Sequence, residues 1–270
     1  MENKLVGHGF IAPVITPDQH IFGAQQASQI IQEDGLWHNF IPPFEQQART
    51  SFDTYGCTVY NTLTPIEILE RRLLGEDSEY AERFVYIGTG TLPPGNDPHV
   101  ISEWIRHNGL IPESMLPFTD MLQGLSDYAS PNPLTVDFIE QGKKWLSSKT
   151  YTHDWVMGGT AKEKTIAAKR ALKSSPLGVS VVAWQERNEL YYKEEGQQDN
   201  HWTCLIGYDG DRPIILDSYA PFIKKLEPFY DFGFIKRYSI TKKVELLTPK
   251  ESLWSKIYLS FCSRACSPSA

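Results

Sequence analysis

The chain has 270 residues and a mass of 30.7 kDa, enough for one large domain or two small ones with a sizeable core. Hydrophobic residues make up 41% and charged residues 22%, and 19 glycines with 18 prolines are too few for a disordered or fibrous chain. A net charge of −7 and a pI near 5.5 lack the basic surface that neutralises phosphates, which argues against nucleic acid as the primary ligand.

No stretch approaches the roughly 20 apolar residues of a membrane-crossing helix. The first residues, MENKLVGHGF, have no apolar h-region of the kind a signal peptide carries. The expectation is a soluble cytoplasmic protein without a membrane partner.

Residues 1–45 are punctuated by Gly7, Gly9, Pro13, Pro17, Gly23, Gly35, Pro42 and Pro43 and read as an irregular N-terminal extension, with one short helix between Ala24 and Glu33. From about 46 to 150 the chain reads as a helical lobe. ILERRLL (68–74) and HVISEWIRHNGL (99–110) carry apolar residues at helical spacing, and His107-Asn108-Gly109 is a helix stop. Thr64-Pro65-Ile66-Glu67 has the form of a helix start, which competes with a helix beginning at Cys57 and kinked at the proline. Residues 120–158 mix loop and helix. Thr160 and Glu163 form a capping box for an amphipathic helix that ends by Pro176.

Beyond Pro176 the texture changes to short β-rich runs: GVSVVAW, ELYYKE, HWTCLIGYD, RPIILDSY and FIKRYSI. DGDRP (209–213) is a tight turn joining two of them into an antiparallel pair. Helices first and strands second, without βαβ alternation, predict an α+β fold of two lobes, with residues 151–250 as the β lobe and 251–270 as a tail.

No phosphate-binding P-loop, H-E-x-x-H, EF-hand or G-x-S-x-G motif occurs. IGTGTLPPG has Pro93 where a dinucleotide loop needs its third glycine. Asp53-Thr54 and Asp217-Ser218 are each followed by tyrosine, not by the glycine of an aspartic-protease loop. The four cysteines, at 57, 204, 262 and 266, are too few for a disulfide scaffold. Cys262 and Cys266 form a C-x-x-x-C pair with no neighbouring histidine, so no metal site is expected.

Chemistry concentrates in three residues. His201 begins a strand and Asp217 ends the next one, 16 residues on, so the hairpin brings them side by side. A carboxylate there fixes the tautomer and orientation of the imidazole. A thiol set against that imidazole gives up its proton to it and becomes a nucleophile, a role open to Cys57 in FDTYGCTVYNTL. Singly, each residue also reads as structural: a packing cysteine, a strand histidine, a turn aspartate. Together, in the order Cys, His, Asp, they form a candidate triad.

At these residues the chain resembles papain-like cysteine peptidases, and most of all the compact ones found in phage genomes. His201 follows Cys57 by 144 residues, within the 130–150 usual for that family. CTVYNTLTPIEIL resembles the helix that bears the nucleophile, and HVISEWIRHNGLIPESMLPF the helix that follows in the same lobe. TAKEKTIAAKRALKSSPLGVSVVAW and NHWTCLIGYDGDRPIILDSY resemble the helix, strand and hairpin of the second lobe. The likeness spans about residues 45–240.

The resemblance implies a two-lobed fold with the cleft between the lobes, and a peptide or protein substrate. It implies Cys57 as nucleophile, His201 as proton shuttle and Asp217 as orienting group, with no metal or organic cofactor. Departures are visible. Ser51 stands where the oxyanion glutamine belongs, which leaves Gln47, or else Gln46, to act through a longer loop. Asp217 replaces the asparagine of papain, and Tyr219 stands near the place of a shielding tryptophan. Pro94-Gly95-Asn96-Asp97 corresponds loosely to the strip that binds substrate backbone. The 45-residue extension is short for an inhibitory pro-segment, so no separate zymogen step is expected. A phage gene product would act in the host cytoplasm or the virion. Alternatives of other classes are another Cys-His-Asp acyl-transfer enzyme (transglutaminase-like, deubiquitinase-like or a wall amidase) and an inactive papain-like interaction protein.

Overall fold

The computed structural model describes residues 9–23, 29–49 and 51–243. Its longest helix, α1 (Cys57–Leu74), is buried along most of its length and supports both halves of the fold. Gly56 leads into it, and Gly75 ends it at φ 65°, a left-handed conformation that glycine adopts without a Cβ penalty. The helix runs unbroken from Cys57 through Pro65, so Thr64–Glu67 is not a helix start. Pro65 deprives the Asn61 carbonyl of its helical donor, a defect of about 3 kcal/mol in an exposed helix. Here the proline ring is buried in the core, and the Thr64 hydroxyl donates to the Tyr60 carbonyl at 2.9 Å.

The helical half continues with α2 (Glu82–Gly88), α3 (Pro98–Asn108), α4 (Leu125–Tyr128) and α5 (Val136–Ser148). Asp97 caps α3 by accepting from the His99 amide at 2.6 Å, and Gly109 at φ 73° terminates it where the sequence predicts. The other half comprises β1 (Lys149–Trp155), α6 (Ala161–Leu172), β2 (Leu177–Val181), β3 (Glu186–Arg187), β4 (Leu190–Tyr191), β5 (His201–Asp209), β6 (Arg212–Leu216), β7 (Ile223–Lys225) and β8 (Ile235–Lys242). Six of these strands form one antiparallel sheet in the order β1-β8-β2-β5-β6-β7, and β3 pairs with β4 apart from it. The architecture is α+β, helices first. The Thr160–Glu163 capping box on α6 is present in full.

Three local expectations need correction. β1 lies in the stretch 120–158 predicted as loop and helix; its signal is the alternation that buries Tyr151, His153 and Trp155. The strand expected at 189–194 shrinks to Leu190–Tyr191. Of the helix expected between Ala24 and Glu33, residues 24–28 lie outside the described residues and 29–33 are not helical. The Ile31 and Gln32 amides instead both donate to the Lys173 carbonyl, at 2.7 and 2.9 Å. Nearby, Trp37 is wholly buried and its Nε1 donates to the Leu172 carbonyl at 2.8 Å, so this early segment contributes to the core. The tail 251–270, with Cys262 and Cys266, lies outside the described residues. No helix among the described residues is long and apolar enough to cross a membrane.

Under the helical half, Glu45, Glu67, Glu82 and Glu113 crowd together. Burial raises all four carboxyls, Glu113 to about 7; repulsion from Glu45 adds to it at Glu67, Glu82 and Glu113, and repulsion from Glu79 at Glu45. A raised carboxyl contributes stability in full below its unfolded value and loses it as pH climbs through the folded value. Glu82→Gln replaces a carboxyl that burial and its bond to Glu45 hold toward the protonated form, and so removes the cost of keeping that proton as pH rises. We expect it to raise the melting temperature at pH 8 by about 2–4 °C, equivalent to roughly 1 kcal/mol, and to leave it unchanged at pH 4. Paired thermal melts at the two pH values check this.

Candidate active site

The nucleophile candidate is delivered by a strained turn. Tyr55 has φ 55°, a left-handed conformation that tyrosine rarely takes. Asp53 holds it there: Oδ1 accepts from the Tyr55 amide at 2.7 Å. The Thr54 hydroxyl accepts from the Gly56 amide at 3.1 Å, and the Thr54 carbonyl accepts from the Tyr86 hydroxyl at 2.8 Å. Cys57 therefore opens α1, at the end of the helix whose amides point outward and whose dipole favours negative charge.

His201 opens β5 and is wholly buried. The two-residue turn at Gly210 and Asp211 pairs Cys204 with Leu216, which sets Asp217 beside the histidine as predicted. Asp217 Oδ1 lies 2.6 Å from His201 Nε2 and also accepts from the Ser218 amide at 2.8 Å. His201 Nδ1 makes no hydrogen bond of regular geometry and is the nitrogen left for the Cys57 thiol, which acts on the ring. Burial alone would depress this imidazole. The Asp217 carboxylate and the Cys57 sulfur outweigh it and push the pKa up to about 10. Burial would raise Asp217, but His201 and then Lys224 hold it below its ordinary value. Cys204 is a contrast: burial alone pushes its thiol well up, and it packs in the core.

Of the two glutamines, Gln46 is exposed and Gln47 is buried against the site. Gln47 Nε2 donates to Tyr219 Oη at 2.7 Å and to Asp53 Oδ1 at 3.1 Å, and its Oε1 accepts from the Ser218 hydroxyl at 2.6 Å. The Tyr219 hydroxyl in turn donates to Asp53 Oδ2. Ser51 faces outward.

Tyr219 packs its ring 5.4 Å from His201, and Trp184 stands on the imidazole at the same distance and nearly at right angles. Trp184, Asn61 and Lys224 are site residues that the sequence did not disclose. Asn61 had one available signal, its place four residues after Cys57 on the same helix face. Its Nδ2 reaches the Cys57 and Trp202 carbonyls, at 3.2 and 2.8 Å, and the Ser218 hydroxyl at 3.0 Å, tying α1 to the hairpin.

Solved structures with this chain trace exist. Xylellain, a cysteine protease from Xylella fastidiosa, is similar at a TM-score of 0.61 and 15% identity, over 88% of this chain and 96% of that one. Digestive procathepsin L 3 of Tenebrio molitor matches at 0.54 and 16%, over 82% of this chain and 73% of that one. Bromelain from Ananas comosus matches at 0.51 and 13%, over 78% and 98%. The fold is papain-like. No family model and no curated protein matches the sequence.

In this papain-like fold Cys57 is covered by the chain's own N-terminal segment. A Cβ on Gly9 would stand 2.8 Å from Cys57 Sγ and 2.5 Å from the Tyr55 carbonyl oxygen, so the bare glycine backbone lies directly on the thiol. The Gly9 carbonyl accepts from the Asn96 amide at 3.1 Å, and the Ile11 amide donates to the Asn96 carbonyl at 2.9 Å. Phe10 stacks on Trp202 with centroids 5.7 Å apart and planes 8° from parallel, in a cluster with Trp155 and Cys57. The strip Pro94–Asp97 thus binds an extended backbone, and that backbone is the protein's own. Cys57 has no exposure in this state.

One group among the described residues has the make-up of a metal site: His99 and Glu103 on α3 with His153 on β1, whose ligand atoms lie within 4.8 Å of one another. Its side chains already have basic partners, Arg106 and a Lys236 whose amine burial pushes down to about 7. Arg106 grips both Glu103 oxygens at 2.5 to 3.1 Å, and Lys236 Nζ lies 3.3 Å from His99 Nδ1 and 3.7 Å over the Trp155 ring. A divalent ion would have to displace both.

Proposed function

We propose that this protein is a cysteine peptidase, held latent by residues 9–11. The observation that carries the reading is His201: buried, fixed through Nε2 by Asp217, with Nδ1 left to Cys57. His201 takes the thiol proton, and the Cys57 sulfur attacks the carbonyl carbon of a peptide bond. The Cys57 amide, one of the first-turn amides with no helical acceptor, stabilises the oxyanion together with Gln47 Nε2. Gln47 gives up its bond to Asp53 or Tyr219 to do so. The imidazolium then returns its proton to the departing amine, and water, deprotonated by His201, releases the acid from the thioester.

Peptide or unfolded protein is the substrate class, since the groove at Asn96 pairs with extended backbone. The reading places the protein in a reducing compartment such as the cytoplasm, where a free thiol persists. The test is hydrolysis of reduced casein by the Gly9→Val protein, in which the covered state is destabilised and the segment lifts more often. We expect new peptides by mass spectrometry, and none when Cys57→Ser is added. Equal cleavage with and without Cys57→Ser would overturn the reading.

A further inference from the structure

The carboxylate that holds His201 is itself held. Lys224, in the middle of β7, is buried to 1% side-chain exposure and donates to Asp217 Oδ2 at 2.7 Å, to the Tyr219 carbonyl at 2.7 Å and to the Pro221 carbonyl at 2.6 Å. An ammonium has three donors, and all three are used. The Trp184 ring lies 4.8 Å from the same nitrogen and the Tyr191 ring 5.9 Å, closing the remaining side with aromatic faces.

We propose that Lys224 is a positioning residue that locks the Asp217 carboxylate onto His201 and offsets part of its charge, so that the carboxylate raises the imidazole less than it would alone. Its catalytic meaning rests on the peptidase reading; its electrostatic content does not. The division of the carboxylate supports it, because Oδ1 serves His201 and the Ser218 amide while Oδ2 serves Lys224 alone.

With Lys224 charged, the set Cys57 thiolate, His201 imidazolium, Asp217 and Lys224 sums to zero. Without it, a buried site carries an uncompensated anion, and the carboxylate can turn about its axis. An imidazolium facing that bare anion holds its proton too tightly to pass it to a leaving amine. The charged and titratable groups around the histidine are Cys57 from α1, Asp217 and Tyr219 from the turn after β6, and, behind the carboxylate, Lys224 and Tyr191. Asp53 faces Tyr219 from the other side. Lys224 is the sole cation among these neighbours apart from the imidazolium.

The test is the titration of His201 by imidazole NMR in the full chain, in wild type, Lys224→Gln, Asp217→Asn and the double variant. Lys224→Gln is expected to raise the midpoint by about one pH unit, and Asp217→Asn, which leaves the ammonium unpaired, to lower it by at least about one. The double variant, neutral at both positions, is expected to lie between Asp217→Asn and wild type, above the single Asp217→Asn protein. A merely structural ion pair would not reverse sign in this way.

Should Lys224→Gln alone fail to fold, Asp217→Asn against the double variant still decides: removing the ammonium must raise the midpoint. An unmoved or lowered midpoint in that comparison overturns the proposal. No substrate is involved, so the titration stands or falls separately from casein hydrolysis.

Discussion

Replacing Gly9 by valine is expected to raise the rate at which iodoacetamide alkylates Cys57 roughly 10- to 100-fold at pH 7. A Cβ at Gly9 meets the Tyr55 carbonyl at 2.5 Å and Cys57 Sγ at 2.8 Å, closer than real contacts come, and the first of these is backbone that cannot swing aside. Overpacking of this kind costs about 1–3 kcal/mol, and all of it falls on the covered state. The population with residues 9–11 lifted grows by the corresponding factor of about 5 to 150. Phe10 still stacks on Trp202, so the segment detaches part of the time and the domain stays folded. Cys204 is the internal control: it sits in the core away from the segment and its alkylation should not change. Peptide mapping after timed exposure reads both thiols at once. Equal rates at Cys57 in the two proteins would mean that Gly9 does not govern access.

In the Gly9→Val protein, His201→Ala is expected to lower kcat/KM for peptide hydrolysis by roughly 10²–10⁴-fold, the range for losing a positioned general acid–base group. The side chain enters both halves of the reaction, as base for the thiol and as acid for the amine. Its loss also strips Asp217 of its main partner. Burial then acts on a carboxylate compensated by Lys224 alone, so some loss of thermal stability accompanies the loss of rate. The wild-type pair has a defined pH window. The raised His201 stabilises the fold fully below its unfolded value near 6.5 and ceases to as pH rises through about 10. His201→Ala should therefore narrow its stability gap to the parent protein above pH 10. Melts at pH 7 and pH 10.5, beside the kinetics, distinguish a lost catalytic group from a general collapse.

What could be read from the residues alone follows the range of each interaction. The juxtaposition of His201 and Asp217 was legible because a tight turn sets hairpin register locally, and DGDRP leaves little choice of turn. The helix stop at Gly109 and the Thr160–Glu163 box were legible for the same reason. Gln47 is the preferred reading with Gln46 as the alternative, since adjacent residues in an extended segment point opposite ways and nothing nearby fixes which way the chain faces.

Lys224 was invisible because its three acceptors lie on the turn 219–221 and Asp217, and a lysine next to a second lysine reads as an ordinary solvated strand edge. The covering segment left the faintest trace. Its pairing with Asn96 runs through backbone groups that every residue has, across more than eighty residues of chain, and only the glycines at 9 and 95 marked the close approach. Pro65 misled in the other direction: it carries a helix-start signature, yet burial in the core keeps α1 continuous through it.

The central claim is that Cys57 and His201 form a thiolate–imidazolium pair, and the pH dependence of Cys57 alkylation tests it most directly. The measurement compares Gly9→Val with Gly9→Val/His201→Ala from pH 4 to pH 10. The paired site predicts fast alkylation well below pH 8 in the first protein and, in the second, a rate that falls off as pH drops below that of an ordinary thiol near 8.5. Coincident profiles, both following an ordinary thiol, would contradict it.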